Sequence, residues 1–220
     1  MGAGSASAVA NPSARSSGLL PDDEREAINR TGGELPSSHD DLRDVALVCE
    51  RCTLAGGRTR VVFNDGVRNA RVMVVGEAPG AREDATGTPF VGPAGKLLDL
   101  LLATVGLSRT DNVYIANVLK CRPPGNRNPH PREIESCSPF LLRQIEIVRP
   151  RIILAVGAFS GRLLTARERS PLSKLRGKVH RYMDRPLVVT YHPAALLRNP
   201  RWIQATWTDL QLLRRELGGS

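Results

Sequence analysis

The chain has 220 residues, enough for one domain with at most a short appendage, and this length excludes a multidomain machine. Hydrophobic residues make up 41% and charged residues 24%, values near the average for globular chains, which excludes global disorder. Lys and Arg number 31 against 22 Asp and Glu, so the net charge of +9 favours a polyanionic partner such as nucleic acid.

The first part of the chain differs in composition from the rest. Residues 1–40 are mainly Ala, Ser, Gly, Pro and charged residues with almost no apolar periodicity, which predicts a disordered tail before a domain over 41–220. No apolar run reaches membrane length, and the first twenty residues have no central apolar block of a signal peptide. We therefore expect a cytoplasmic monomer without a membrane partner.

Short buried strands alternate with helical patterns in the remaining chain. β-Branched runs at 72–75, 113–118, 152–156 and 187–190 predict a four-stranded parallel sheet. Apolar residues at helical spacing predict helices over 94–105, 131–148, 158–164 and 202–217. This alternation indicates an α/β fold, a three-layer α/β/α sandwich.

Polar residues follow the predicted strands where each one ends. Glu77 follows the first strand, Asn117 lies at the end of the second and His192 follows the fourth. The carboxyl ends of parallel strands share one edge, where ligands bind, so these three residues are candidates for catalysis. Phosphate-loop, G-x-S-x-G and H-E-x-x-H motifs are absent from the sequence, which argues against nucleotide hydrolysis and the common hydrolase mechanisms.

The four cysteines form a candidate metal site. Cys49 and Cys52 have C-x-x-C spacing, Cys121 follows the second strand and Cys137 falls inside a predicted helix. Four thiolates suit either zinc or an iron–sulfur cluster, and the asymmetric spacing favours [4Fe–4S] over zinc. Four buried cysteines without a ligand are the alternative.

Several motifs together resemble the family-four uracil-DNA glycosylases, the iron–sulfur class of that superfamily. The resemblance covers about residues 48–217 and includes all four cysteine positions in order. The motifs that carry it are GEAPG at 76–80, Glu83-Asp84, TGTPFVG at 86–92, NVLKCRPP at 117–124 and HPAALLR at 192–198. The resemblance implies a uracil-DNA glycosylase-like fold and excision of uracil from DNA to leave an abasic site.

The resemblance also implies roles for pocket residues. Phe90 is expected to stack on an extruded uracil, Asn117 to bind its Watson–Crick edge and His192 to approach the carbonyl O2. Glu77 and Ala78 lie where this superfamily positions water, and Ala78 replaces the aspartate of its best-known members.

Further implications of the resemblance concern specificity and side reactions. Glu83 matches a residue that crowds the C5 side of the base against thymine. The basic insertion of relatives that become covalently trapped on uracil DNA is missing at 125–130, so trapping is not expected.

Binding to DNA requires groups that fill the vacated stack and hold phosphates. We expect Leu196 and Leu197, beside Arg198, to wedge into the duplex after base flipping. The basic residues expected to contact phosphates are Lys120, Arg122, Lys174, Arg176, Lys178 and Arg198.

Two other functions remain open at this point. One is a non-catalytic, metal-stabilised nucleic-acid-binding module, which the charge and cysteines alone would allow. The other is a related glycosylase with broader specificity for deaminated bases. For the cluster itself, we expect a structural role, with redox sensing of DNA as the alternative.

Overall fold

The computed structural model of the protein describes residues 33–218. The predicted tail therefore lies largely outside the described residues, at 1–32. The first described helix, α1 (His39–Leu47), begins after Ser38, whose hydroxyl accepts a hydrogen bond from the Asp41 amide. Leu42 and Val45 of this helix are fully buried, so the ordered core includes the segment that leads to the first cysteines.

A six-stranded sheet forms the centre of the domain, in the order β1-β3-β2-β4-β6-β5. The inner strands β3, β2, β4 and β6 are parallel, which confirms the four predicted strands. One antiparallel strand lies at each edge of the sheet: β1 beside β3, and β5 beside β6. The strands are β1 (Asp65–Gly66), β2 (Val72–Gly76), β3 (Val113–Asn117), β4 (Ile152–Val156), β5 (Val179–Tyr182) and β6 (Arg185–Thr190).

The edge strands were not predicted because they lack the signal of buried strands. The strand β1 has only two residues, and β5 is partly exposed along its whole length. By contrast, every residue of β2, β3 and β4 is buried. Continuous apolar runs thus identify the sheet interior and miss its edges.

Helices cover both faces of the sheet, as the predicted three-layer sandwich requires. Besides α1, they are α2 (Ala81–Thr86), α3 (Pro93–Ala103), α4 (Pro131–Val148), α5 (Ala158–Thr165), α6 (Leu172–Leu175), α7 (Pro193–Arg198) and α8 (Ile203–Gly218). Successive side chains on a strand point to opposite faces. Met73 therefore packs in the core with α1 and α4, and Val74 packs in the core with α3 and α8. Within residues 33–218, no helix is long and apolar enough to cross a membrane.

The strand order creates a crevice at one edge of the sheet. The chain passes from β2 to its neighbour β3, and then crosses to β4 on the other side of β2. Such a reversal separates the loops that follow neighbouring strands, and ligands bind in the crevice between them. The loops after β2 and β3 and the loop after β6 meet there, so the fold brings together the polar residues that follow these strands.

Candidate functional site

A pocket of about 380 Å³ lies at the carboxyl ends of the parallel strands. Its size falls in the usual range for small-molecule sites, about 300–1,000 Å³. All six residues predicted for catalysis or substrate binding line it, together with a predicted DNA contact: Glu77, Ala78, Glu83, Phe90, Asn117, His192 and Arg198. Segments that are distant in sequence thus form one site.

The Phe90 ring forms one wall of the pocket and is almost fully buried. Its backbone has φ of 54°, in the left-handed region that residues other than glycine rarely adopt. A Cβ at Gly76 would lie 2.6 Å from the ring tip, and a Cβ at Gly95 would lie 1.7 Å from the Phe90 carbonyl oxygen. Two glycines without side chains therefore allow the ring and its backbone to occupy these positions.

The side chain of Asn117 lies next to the Phe90 ring, at the end of β3. It is 2% exposed, and its Oδ1 atom has no hydrogen-bond partner among residues 33–218. A buried acceptor without a donor destabilises a protein, by about 1–3 kcal/mol. The Asn117 amide is therefore suited to receive a hydrogen bond from a ligand.

The imidazole of His192 lies beside Phe90, with ring centroids 5.5 Å apart and an angle of 28° between the planes. Its Nδ1 atom accepts a hydrogen bond from the Ala194 amide at 3.1 Å, so the proton of the neutral ring is on Nε2. Burial, and then the positive charge of Arg198, lower the pKa of His192 to about 4. At neutral pH this side chain is an uncharged hydrogen-bond donor.

Two carboxylates line the pocket and have different environments. Burial raises the pKa of the Glu77 carboxyl group. Glu83 instead contacts backbone: its Oε1 accepts hydrogen bonds from Val91 and Gly92, each at 2.9 Å, and its Oε2 accepts one from Gly80 at 3.2 Å. Glu83 thus joins the start of α2 to the loop that carries Phe90, a positioning contact that sequence reasoning did not foresee.

The neighbours Leu196 and Leu197 differ in environment. Leu196 is 1% exposed and belongs to the core on the α3 and α8 side of the sheet, whereas Leu197 is 50% exposed. This burial argues against the prediction that Leu196 enters DNA, because the side chain would have to leave the core. Leu197 and the exposed Arg198 remain available to DNA.

Two predicted phosphate contacts are held inside the protein instead. Arg176 donates to Asp209 Oδ2 at 3.0 Å and to the Ala205 carbonyl, and its guanidinium lies over the Tyr191 ring. Lys120 is 2% exposed and its Nζ donates to the Asn117 carbonyl at 2.8 Å. The geometry argues against a phosphate role for both residues, because internal hydrogen bonds already use their charged groups.

Sequence reasoning missed Arg127, which also lines the pocket. Its Nη1 and Nη2 atoms donate to the two carboxylate oxygens of Glu133 at 2.9 and 2.6 Å. The signal available in the sequence was a glutamate at the third position of the predicted helix 131–148, six residues after an arginine. The pair holds a guanidinium at the rim of the pocket.

The four cysteines line a second cavity, at the end of α1 and beside α4. All are free thiols, and burial raises the pKa of Cys121 to about 11 and that of Cys137 to about 12. Among the described residues, no group of three or more His, Cys, Asp or Glu already has the geometry of a metal site. The structure thus brings the predicted ligands to one place without arranging their sulfur atoms for coordination.

The surroundings of the cavity fit an anionic thiolate cluster. The Arg58 Nη1 atom donates to Cys121 Sγ at 3.7 Å, and the Lys120 backbone amide donates to Cys137 Sγ at 3.2 Å. Arg51 also lines the cavity, with its guanidinium over the Phe140 ring. Hydrogen bonds and positive charge of this kind stabilise metal-bound thiolates.

Comparisons with known proteins agree with the fold. The family described as the uracil DNA glycosylase superfamily matches residues 63–211, so the chain belongs to this superfamily. The type-4 uracil-DNA glycosylase of Sulfurisphaera tokodaii is 42% identical over 181 residues, 79% of this chain and 82% of the relative. That of Archaeoglobus fulgidus is 44% identical over 171 residues, 74% and 85% of the two chains. A type-5 uracil-DNA glycosylase of Pyrobaculum aerophilum is 36% identical over 146 residues, 60% and 64% of the two chains. Within the superfamily, the chain is a member of the type-4 group.

Proposed function

We propose that the protein removes uracil from DNA by hydrolysing the N-glycosidic bond, which leaves an abasic site. The observation that carries the proposal is the buried, unpartnered Oδ1 of Asn117, which lies beside an aromatic wall and a neutral imidazole. Relatives that are 42% and 44% identical are named as type-4 uracil-DNA glycosylases. The substrate is therefore a uracil nucleotide in DNA.

The pocket recognises the base after the nucleotide rotates out of the stack. Flipping costs a few kcal/mol of free energy, and stacking of the base on Phe90 offsets this by about 1–3 kcal/mol. The Asn117 Oδ1 atom accepts from uracil N3–H, and its Nδ2 donates to O4. Cytosine has an unprotonated N3 and a 4-amino group. In the same orientation of the amide, the Oδ1 acceptor would face the N3 acceptor and the Nδ2 donor would face the amino donor, so neither hydrogen bond forms. Asn117 thus provides discrimination between uracil and cytosine.

The chemistry depends on stabilising the departing base. As the C1′–N1 bond breaks, its electron pair goes to uracil and negative charge develops on O2. The neutral His192 donates from Nε2 to that oxygen, and one such pre-aimed donor is worth about 2.7–4 kcal/mol. Water then bonds to C1′, and Glu77, whose raised pKa suits it to proton transfer, orients that water and accepts its proton.

Positioning of the DNA falls to exposed residues around the pocket. Leu197 fills the gap that the flipped nucleotide leaves, as apolar wedges do in other DNA-bending proteins. Arg198 lies at the pocket and contacts the neighbouring phosphate. The exposed Lys174 and Lys178 extend this basic surface. Binding is accordingly sensitive to salt.

We also propose that Cys49, Cys52, Cys121 and Cys137 hold a [4Fe–4S] cluster rather than zinc. When bound, the cluster supplies a rigid link between the end of α1, the loop after β3 and helix α4. None of these four cysteines forms a disulfide, so all of them are available as ligands. Because a single chain supplies every residue of the pocket, a monomer is sufficient for activity.

Uracil release is the direct test. The purified protein is incubated with duplex and single-stranded oligonucleotides that contain one uracil, and alkali cleavage then detects abasic sites. Matched oligonucleotides carry cytosine, thymine or hypoxanthine at the same position, and Asn117→Ala serves as the inactive control. Cleavage confined to uracil supports the proposal. Excision of hypoxanthine as well indicates a glycosylase of broader specificity, and binding without cleavage indicates a non-catalytic module.

A further inference from the structure

The backbone of Phe90 has an unfavourable conformation, and a distant arginine holds it there. Phe90 is one of five residues other than glycine with positive φ in the described chain, and both Phe90 and Asn126 of these five line the pocket. Its carbonyl oxygen accepts a hydrogen bond from Arg109 Nη2 at 3.0 Å. The preceding carbonyl, that of Pro89, accepts one from Arg109 Nη1 at 3.3 Å. The arginine comes from the loop between α3 and β3, about twenty residues further along the chain.

Two carboxylates hold the guanidinium of Arg109 from other sides. Its Nη1 donates to Asp65 Oδ2 at 2.7 Å, on β1. Its Nε and Nη2 donate to Asp99 Oδ1 at 2.9 and 2.8 Å, on α3. All three nitrogens are therefore used, and the side chain is 19% exposed. A planar guanidinium can donate in these several directions at once, whereas a lysine ammonium cannot reproduce the fork.

We propose that Arg109 is a positioning residue for substrate recognition, which acts by holding Phe90 in its stacking position. The inference rests on the proposed function, in which the Phe90 ring stacks on uracil. Arg109 is absent from the residues that line the pocket, so it reaches the substrate only through the Phe90 backbone. Its partners Asp65 and Asp99 anchor it to the edge strand and to α3, and thus connect the stacking ring to the rigid framework of the domain.

A double-mutant cycle separates this role from simple stabilisation of the fold. Arg109→Met is compared with wild type, and Arg109→Met/Phe90→Ala with Phe90→Ala, on a duplex with one uracil. We expect kcat/KM to fall about tenfold in the first comparison, on the scale of a lost base–aromatic stack. In the second comparison the loss is about twofold or less, because the ring through which Arg109 acts is gone.

Two further variants separate the effect on Phe90 from a loss of folding. Arg109→Lys retains a positive charge between the carboxylates and so preserves folding, but it loses the forked set of guanidinium donors. We expect its loss of kcat/KM to depend on the Phe90 ring in the same way, at normal thermal stability. Arg143→Met is the matched control, because Arg143 is similarly buried and pairs with Glu146 at 2.9 Å on α4. This control loses the same charge and retains full kcat/KM.

The salt dependence of binding excludes a direct contact with DNA. Because Arg109 does not touch phosphate, the slope of log KM against log salt concentration stays at the wild-type value in Arg109→Met; a reduction of about one unit would assign it to phosphate and reject the proposal. Equal losses in both backgrounds of the cycle, with uracil released by wild type, would overturn the Arg109 role alone. Absence of uracil release by wild type would overturn the function on which it rests.

Discussion

Gly76 and Asn117 are paired in register at the ends of β2 and β3, and no side chain fits between them. A Cβ on Gly76 would lie 2.3 Å from Asn117 Oδ1 and 2.6 Å from the tip of Phe90. The two groups proposed to contact uracil are thus placed against a bare backbone. Their position depends on the absence of one methyl group.

Gly76→Ala is expected to abolish most uracil excision while the domain still folds. Overpacking of this kind costs about 1–3 kcal/mol of stability, and it displaces Asn117 and Phe90 together. We expect kcat/KM to fall by about a hundredfold or more, since small misplacements at a reacting centre have effects of this size. Gly56→Ala is the control, because nothing lies within 4 Å of a Cβ at that position. A Gly76→Ala enzyme with normal activity would contradict the described pocket geometry.

Asn117→Asp is expected to transfer specificity from uracil towards cytosine. A protonated carboxyl group offers one donor and one acceptor, which match cytosine N3 and its 4-amino group. Burial at the 2% exposed position favours that protonated form. Excision from matched uracil and cytosine oligonucleotides measures the change. Unaltered uracil excision by this variant, without any gain in cytosine excision, would count against binding of the base edge by Asn117.

The stability of the protein should decrease in mild acid because of His192. Its pKa is lowered to about 4 in the folded protein, below the ordinary value of 6.5. The neutral ring is therefore favoured by folding: its contribution is fully present above pH 6.5 and is lost as the pH falls towards 4. The shift of 6.5 − 4 = 2.5 units corresponds to about 3 kcal/mol.

Urea unfolding of wild type and His192→Ala between pH 4 and 7.5 measures this effect. The unfolding free energy of wild type should fall relative to that of His192→Ala as the pH falls from 6.5 towards 4, since only the wild-type imidazole takes up a proton on unfolding in this range. Excision by wild type should show no inflection near pH 6.5 that belongs to His192. An inflection that disappears in His192→Ala would indicate a charged imidazole instead.

Leu197 and Leu196 form a matched pair of adjacent leucines with opposite expected effects. Leu197→Ala should lower kcat/KM about tenfold on duplex DNA and little on single strands, because only a duplex leaves a gap to fill. Leu196→Ala should instead lower the unfolding free energy by about 2–5 kcal/mol, as buried leucines do. Kinetics on both substrates and urea unfolding distinguish the two. Equal effects of Leu197→Ala on both substrates would argue against a wedge.

Cys137→Ser should remove the proposed cluster and destabilise the protein. The wild-type protein is expected to be brown and to contain about four iron and four sulfide per chain. The variant should lose this absorption and unfold at a lower temperature. Ser138→Ala, the next residue on α4 and also buried, is the control and should retain both. Bound zinc without iron in wild type, or full iron content in Cys137→Ser, would contradict the proposed cluster.

The sheet interior and the site positions were predictable because their signals are local. The four parallel strands are short buried runs, and Glu77, Asn117 and His192 stand where such runs end. The resemblance of whole motifs added Phe90 and Glu83, which no periodicity identifies. The edge strands β1 and β5 escaped because β1 has two residues and β5 is half solvated.

The sequence by itself determined the class of fold, the residues at the carboxyl edge of the sheet and the four cysteines as a set. Only the tertiary structure decided that Leu196 faces the core while Leu197 faces solvent, and that Lys120 is buried rather than on the DNA surface. It also decided that Arg109 holds Phe90. The physical reason is that hydrophobic periodicity reports burial along one segment, whereas these outcomes depend on contacts between segments that are distant in the chain and meet only on folding.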